Sequence, residues 1–393
     1  MLNTNKPTNY QQILEGSQAI AQTIYRINPS VVSAYPITPQ THIVEDLARL
    51  KADGKATFEY VRAESEFAAA SIVAGASAAG ARVYTATSSQ GLLLMTEVLF
   101  NIAGMRLPVV LTCANRGVSA PITIWNDHQD AMTLRDAGWV MFFAENHQEA
   151  VEQHLLAYKI AEQAKLPAMV NVDGFVLTHT YEPVIVPSAA KIKKFLPPRR
   201  PAKDEILDPK NPLTFGAFAP PAYYLEIRQE LHQDLLSTQK IINQEYLQLR
   251  RLIPEAVKPK EKSTRYLNGL VEYYGPAKPK MVLVAMGSLV GTIKDVVDRI
   301  AEVGVLKIKT FRPFPSAEVK KIIKPNIKVA AVEKAVSLGA EGPLAMELKT
   351  VLTNNTVNSF VVGLGGRDIT EKMITKIIQL NRQPKKGAIF VGK

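Results

Sequence analysis

Four groups in this 393-residue chain have the residue types and spacing to do chemistry. They are a carboxylate that opens a helix of small residues, a Ser-Gln-Gly turn, a loop arginine and a threonine between prolines. Glu66 follows Glu64 and Ser65, and after it small residues predominate: Ala68, Ala69, Ala70, Ser71, Ala74, Gly75, Ala76, Ser77, Ala78, Ala79 and Gly80. Alanine favours a helix while the two glycines weaken it, so close approach of a second backbone or a ligand is the reason expected for them. A buried carboxylate at the head of such a helix is costly unless paired or used. Its simpler role is to complement the helix N-terminus. Ser88-Ser89-Gln90-Gly91 joins the β-branched run Val83–Thr87 to an apolar helix. Strand, polar glycine turn and helix form the βα unit whose loop lies at the carboxyl end of a sheet, where α/β proteins bind ligands.

Arg116 stands in Ala114-Asn115-Arg116-Gly117. Its planar fork can donate two parallel hydrogen bonds to a carboxylate, and a solvated surface arginine is the competing reading. Thr38 lies in Tyr35-Pro36-Ile37-Thr38-Pro39. Neither proline there can donate and each restricts its predecessor, so capping the turn is the plain alternative for Thr38. The run Asn126-Asp127-His128-Gln129-Asp130 lacks EF-hand spacing, and no metal site is expected in it. Asn126 and Asp127 are expected at the rim of a site, with His128 capping or orienting the helix that follows.

The elements that must position these groups alternate regularly. A helix is expected over Tyr10–Ile27 and a strand over Val31–Tyr35, then a helix over Thr41–Lys51 and a strand over Thr57–Val61. The Glu66 helix and the strand Val83–Thr87 follow, then a helix over Leu92–Ile102 and a strand over Val109–Cys113. A helix over Gln148–Gln163 and a strand over Ala168–Val172 end the series. Apolar β-runs alternating with helices predict a parallel sheet covered on both faces. From Glu182 to Pro221 nine prolines interrupt any period, which predicts an ordered arm wrapping a neighbour, with little regular structure of its own. A long helix over Tyr224–Leu252 then ends at Pro254. A second α/β domain is expected from 260 to 393, after a first over 1–259. It opens with a buried strand and glycine turn at Met281–Ser288, then a helix over Thr292–Glu302. Strands over Val305–Lys309, Val329–Val332 and Ser359–Val362 complete it. Gly363-Leu364-Gly365-Gly366-Arg367-Asp368 lacks the third glycine of a dinucleotide fingerprint and ends its domain, which argues against nicotinamide binding.

An apolar fraction of 47% and a mean hydropathy of −0.01 describe a globular chain with ample core. The polar N-terminus has no signal-peptide core and no apolar run approaches the ~20 residues of a membrane span, so a cytoplasmic protein is expected. A single cysteine, Cys113, excludes an intrachain disulfide and any cluster held by four cysteines of this chain. Any redox carriers must then lie on another polypeptide. The formal charge of +11 is concentrated in residues 251–393, which carry 25 Lys+Arg against 12 Asp+Glu. No nucleic-acid motif accompanies that excess, so an acidic protein partner or a solvated face remains.

In their order along the chain, Tyr-Pro-Ile-Thr-Pro, the Glu66 helix, Thr-Ser-Ser-Gln-Gly, Arg116, Trp-Asn-Asp-His, Met-Gly-Ser and Gly-Leu-Gly-Gly-Arg-Asp resemble the thiamine-diphosphate-dependent 2-oxoacid:ferredoxin oxidoreductases. The resemblance is closest to the separate alpha subunit of the multi-subunit pyruvate or branched-chain enzymes. It implies a pyrimidine-type thiamine-diphosphate-binding domain followed by a transketolase C-terminal-like domain. In the family a glutamate hydrogen-bonds N1′ of the aminopyrimidine and so promotes loss of the thiazolium C2 proton. The matching position is Glu66, with Glu64 the fallback. The resemblance further assigns Ser89, Gln90 and Gly91 to the cofactor, and Thr38 and Arg116 to the 2-oxoacid. It places Mg²⁺, the diphosphate half-site and the [4Fe-4S] clusters on partner subunits (beta, gamma and delta). Coenzyme A is the co-substrate and ferredoxin the electron acceptor. The products implied are an acyl-CoA and CO₂, most commonly from pyruvate. A scaffold that kept the fold without the chemistry, and a self-contained transketolase-like enzyme, are the alternatives.

Overall fold

The computed structural model describes residues 11–257 and 261–392, in which the chain forms two seven-stranded sheets and a two-stranded ribbon. The first half runs β1 (Gln12–Glu15), α1 (Gly16–Ile27), β2 (Val31–Ala34), α2 (Thr41–Ala52), β3 (Glu59–Arg62), α3 (Glu66–Ala78) and β4 (Val83–Thr87). It continues through α4 (Ser89–Leu94), α5 (Thr96–Gly104), β5 (Val110–Asn115), α6 (Gln129–Thr133), β6 (Val140–Phe143), α7 (His147–Ala164) and β7 (Ala168–Asp173). β8 (Tyr181–Val184), α8 (Ala189–Phe195) and the long α9 (Pro221–Leu252) complete it. The second half opens with β9 (Thr264–Leu267), β10 (Val271–Tyr274), β11 (Met281–Ala285), α10 (Leu289–Val297), β12 (Val303–Ile308) and β13 (Thr310–Arg312). It ends with α11 (Ser316–Ile322), β14 (Lys328–Glu333), α12 (Pro343–Val351), β15 (Val357–Val361), α13 (Glu371–Leu380) and β16 (Ala388–Phe390).

The first sheet has the order β13-β6-β7-β5-β4-β2-β3, parallel except at β13. β4 to β7 are buried along their whole length, as a sheet covered on both faces requires. The chain goes from β2 outward to β3 and returns to β4 on the other side of β2. The order therefore reverses at β2, and the loops leaving β2 and β4 diverge there to open a crevice at their carboxyl ends. The second sheet, β16-β15-β14-β11-β12-β10-β9, is parallel from β16 to β12 with an antiparallel edge.

Several expectations need correction. The first helix begins at Gly16, because residues 12–15 pair with β8 as a strand; the expected start at Tyr10 lies outside the described residues, as does the boundary near 260. The helix after β4 starts at Ser89 and is interrupted at Met95, and α10 ends at Val297. Within the proline-rich arm, Tyr181–Val184 is a strand and Ala189–Phe195 a helix. The arm folds back on its own half of the chain: Arg82 donates to Pro197 O at 2.7 Å and Leu207 N to Ala78 O at 2.8 Å. Gly75 does not serve a close approach within the chain, since a Cβ there would meet nothing.

Sequence periodicity misses β13, too short to carry a pattern, yet it joins the two halves by pairing with β6. A buried ionic cluster lies at the same seam. Lys307 Nζ sits 2.6 Å from Glu145, 3.0 Å from Glu149 and 2.5 Å from Glu272. Lys309 reaches Glu152 at 2.5 Å, and Lys294 reaches Glu272 at 2.9 Å. Three lysines of the basic C-terminal third are thus neutralised internally rather than offered to a partner.

Candidate functional site

The crevice gathers the chemically promising groups from four loops. α3 begins at Glu66 because Ser65 is its N-cap, the Ser65 hydroxyl accepting from Ala68 N at 3.1 Å. Glu66 is buried, whereas Glu64, two residues earlier in extended chain, is exposed. The Glu66 carboxylate has no protein hydrogen-bond partner among the described residues. It lies over Gly91, where a Cβ would come within 2.5 Å of both Glu66 Oε1 and Thr87 Oγ1. Gly91 is therefore obligatory for space rather than for its backbone angle. The β4–α4 turn that passes under this carboxylate leaves Thr87 Oγ1, which shares the Gly91 space with it, and also Ser88 Oγ and Gln90 Nε2, buried and unpaired. Buried polar atoms are nearly always satisfied, so a cluster of orphans beside a carboxylate marks a place for a polar ligand.

Ser89 adopts φ +44°, a left-handed conformation that a non-glycine residue holds only where surrounding contacts enforce it. Those contacts come largely from Asp130, which sequence reasoning passed over. Its carboxylate accepts from Ser89 N (3.0 Å), Arg116 N (2.9 Å), Asn115 Nδ2 (2.9 Å) and Ala131 N (2.7 Å). Burial pushes the Asp130 carboxyl above its ordinary range against the opposing pull of these donors. One fully buried acid thereby locks the β4 and β5 loops together. Only its place at the start of a short helix, closing the polar run Asn126–Asp130, could have signalled it. The Ser89 hydroxyl donates to Gly117 O at 2.6 Å, so it serves the loop in this structure.

Arg116 is buried, and its Nε donates to Thr123 O (2.6 Å) and its Nη1 to Thr38 O (2.9 Å). The two residues expected at one substrate are thus brought together, the arginine by its side chain and Thr38 by its carbonyl. The Thr38 residue itself is exposed, at the crevice mouth. Gln40 Nε2, bonded to Ala86 O at 2.8 Å, ties the Thr38 loop to β4. Arg116 Nη2 keeps its donors without a protein partner among the described residues.

Asn126 and Asp127 are placed in the seam between the halves, nearly inaccessible. Lys334 Nζ donates to Asn126 Oδ1 at 2.8 Å and Gly365 N to Asp127 Oδ2 at 3.1 Å. Burial pushes the Asp127 carboxyl up to about 6. His128 occupies the N-cap position of α6 without a side-chain cap bond, and Asp127 accepts from Gln129 N at 2.9 Å. His128 instead holds Asp173 at 2.6 Å. Burial alone would raise the Asp173 carboxyl, but Lys334 at 2.7 Å and His128 outweigh it and hold it below the usual range. Ser288 N adds a bond to Asp173 at 3.1 Å. Met-Gly-Ser and Gly-Leu-Gly-Gly-Arg-Asp are therefore the second half's docking turns against the floor of the crevice.

Residues 22–246 match the domain described as pyruvate flavodoxin/ferredoxin oxidoreductase, thiamine diP-binding. Residues 279–374 match core domain II of pyruvate:ferredoxin oxidoreductase. The chain belongs to the pyruvate:ferredoxin oxidoreductase family. Pyruvate synthase subunit PorA of Methanosarcina barkeri is 46% identical to this oxidoreductase chain over 391 residues, covering 96% of it and 94% of the relative. PorA of Methanocaldococcus jannaschii is 44% identical over 97% of each chain. Ketoisovalerate oxidoreductase subunit VorA of Pyrococcus abyssi is 38% identical over 94% of this chain and 93% of its own. Among solved structures, a 2-oxoglutarate:ferredoxin oxidoreductase from Magnetococcus marinus, with 2-oxoglutarate, coenzyme A and succinyl-CoA bound, superimposes with a TM-score of 0.73. That match covers 95% of this chain and 65% of the other at 18% identity, so it speaks for the fold. The resemblance read from the sequence holds: this is an α/β oxidoreductase subunit of the thiamine-diphosphate type. Among the described residues no helix is long and apolar enough to cross a membrane.

Proposed function

We propose that this chain is the cofactor-activating alpha subunit of a pyruvate:ferredoxin oxidoreductase, with Glu66 as its catalytic residue. The observation that carries the reading is the buried, unpartnered Glu66 carboxylate over Gly91, beside orphaned Thr87 and on a turn whose Ser88 and Gln90 groups are also orphaned. That donor and acceptor set fits an aminopyrimidine: a carboxyl for one ring nitrogen, with hydroxyl and amide groups for the remaining polar edge. Glu66 would hold a proton at N1′, while Ser89, Gln90 and Gly91 shape the turn against the ring. Thiamine diphosphate, when bound, supplies the nucleophile and the electron sink for 2-oxoacid decarboxylation. Arg116, fixed at two donors and free at Nη2, would orient the 2-oxoacid carboxylate, with Thr38 beside it at the mouth. Asn126 and Asp127 act behind the site by seating the second half of the chain.

Mg²⁺, the diphosphate and the iron–sulfur clusters would be held by beta, gamma and delta partners, and electrons would leave to ferredoxin in the cytoplasm. Coenzyme A would take the acyl group. Pyruvate synthase subunits span 38% to 46% identity and the ketoisovalerate subunit stands at the lower end, 38%, so pyruvate is the first reading and the branched-chain acid the second. A scaffold without chemistry is disfavoured, because a buried carboxylate left unpaired for no purpose is a plain cost. A division of the chain near 260 remains part of the proposal.

Arg116→Ala in the assembled enzyme is expected to lower kcat/KM for the 2-oxoacid by at least ~30-fold, the equivalent of about 2 kcal/mol for a desolvated charge-assisted contact. Cofactor content should be unchanged. Arg116→Lys should recover little, since an ammonium lacks the fork that spans Thr38, Thr123 and a substrate. Steady-state kinetics on pyruvate and 2-oxoisovalerate check this, and an unaltered kcat/KM would assign the carboxylate to another residue.

A further inference from the structure

Outside the crevice, three side chains from distant parts of the sequence converge on one point. They are Glu15 at the end of β1, His42 in the first turn of α2, and His179 in the turn after β7. One ligand atom from each lies within 4.8 Å of the other two. We propose that Glu15, His42 and His179 form a binding site for a divalent transition cation of the zinc type.

Two imidazoles and one carboxylate suit zinc and its neighbours, whereas calcium and magnesium call for oxygen donors. The scaffold is held in advance. Gly16 N donates to Thr180 O (3.1 Å), Ser17 N to Thr178 O (3.0 Å) and Ser17 Oγ to the same carbonyl (2.8 Å). A Cβ on Gly16 would sit 1.8 Å from Leu177 O, so only glycine lets this corner close. These contacts fix Glu15 and His179 against each other, and α2 brings His42. The Thr178 hydroxyl lies 2.7 Å from His179 Nδ1, the outer hydrogen-bond partner that ligating histidines generally have, which leaves Nε2 for a metal.

Glu15 Oε1 and His42 Nδ1 are hydrogen-bonded at 2.6 Å. Two ligands of one tetrahedral zinc stand about 3.3 Å apart at zinc–ligand distances near 2.0–2.1 Å. Binding at Nδ1 therefore replaces the Glu15 hydrogen bond, with the ring N–H carried on Nε2, and turns His42 outward by under about 1 Å. The half-exposed His42 side chain has room for this. Three protein ligands leave a fourth position for water or an external donor. The cation would pin the start of α2, four residues from Thr38. The mutually tilted His179, Phe175 and Trp125 rings, 4.7 and 4.6 Å apart, lead from the site to the loop carrying Asn126.

The chain has six histidines, and His128, His147 and His154 are buried, so His232 on α9 is the natural control for adventitious binding. The full-length chain, stripped with chelator, would be titrated with Zn²⁺ by calorimetry and with Co²⁺ by visible absorption. The expected result is one equivalent per chain, an intense four-coordinate Co²⁺ band and a raised unfolding temperature. His42→Ala and His179→Ala should each weaken Zn²⁺ by more than about tenfold, and His232→Ala should leave it unchanged. Should either histidine variant misfold, X-ray absorption on the Zn²⁺-loaded native chain decides by counting two imidazole ligands. No saturable Zn²⁺ binding, binding that survives loss of both histidines, or a coordination shell of oxygen alone would overturn the proposal.

Discussion

Glu66→Gln in the assembled enzyme is expected to lower kcat for 2-oxoacid oxidation by a factor on the order of 10²–10⁴, the range of a lost acid–base group. Thiamine diphosphate content and subunit assembly should be retained. Glutamine keeps the length and one acceptor of Glu66, so the Gly91 platform and the α3 N-terminus survive. What it removes is the carboxyl that can hold a proton at N1′. Were Glu66 serving only its helix terminus, the change would cost at most ~1 kcal/mol of stability and nothing in rate. Glu64→Gln is the control, and because Glu64 is exposed while Glu66 is buried, it should behave as wild type.

The largest expected effect on stability is at Lys307. Lys307→Met fits the volume but leaves Glu145, Glu149 and Glu272 facing one another with a cation removed. Breaking a buried ion cluster on one side costs about 3–5 kcal/mol, well beyond a surface pair. Although burial opposes its charge, the three glutamates dominate and raise the Lys307 pKa well above the ordinary lysine value. The contribution of that charge is complete below the unfolded lysine pKa and is lost only as pH rises through the higher folded value. Between pH 6 and 9 the wild type should therefore show no loss from this group. In the variant the surplus carboxylates take up protons more readily, so its deficit should shrink as the pH falls. Urea unfolding at several pH values measures this, and a deficit below 1 kcal/mol would show that Lys294 and Lys309 suffice.

The outer form of this cluster was present in the sequence. Lys307 and Lys309 alternate on a strand and so share a face, while Glu145, Glu149 and Glu152 recur at helical spacing. Read alone, each half is a solvated charged stripe. Only the pairing of β12 beside β10, and its packing against α7, makes them partners. The same limit explains Asp130, whose four donors come from segments 41 residues apart or fewer but from different loops. Local patterns could name Glu66, Arg116 and Thr38 as candidates, since strand–turn–helix units place loops at one sheet end. They could not say that Glu64 would be outside and Glu66 inside. That distinction comes from Ser65, whose cap starts the helix at the buried carboxylate itself. Asn126 and Asp127 were placed at a rim because polar loops are usually exposed. The second sheet covers them, through contacts with Lys334 and Gly365 that lie more than 200 residues away in the chain.

Thiamine diphosphate is proposed to be activated in this chain through Glu66. Exchange of the cofactor's C2 proton for deuterium tests it, followed by quenched-flow NMR in the assembled enzyme without 2-oxoacid. Exchange in the wild type and in Glu64→Gln should be fast relative to turnover. In Glu66→Gln it should fall to near the rate of the free cofactor. Exchange that persists in Glu66→Gln would contradict the account, and exchange lost in Glu64→Gln instead would move the activating carboxylate to the exposed position.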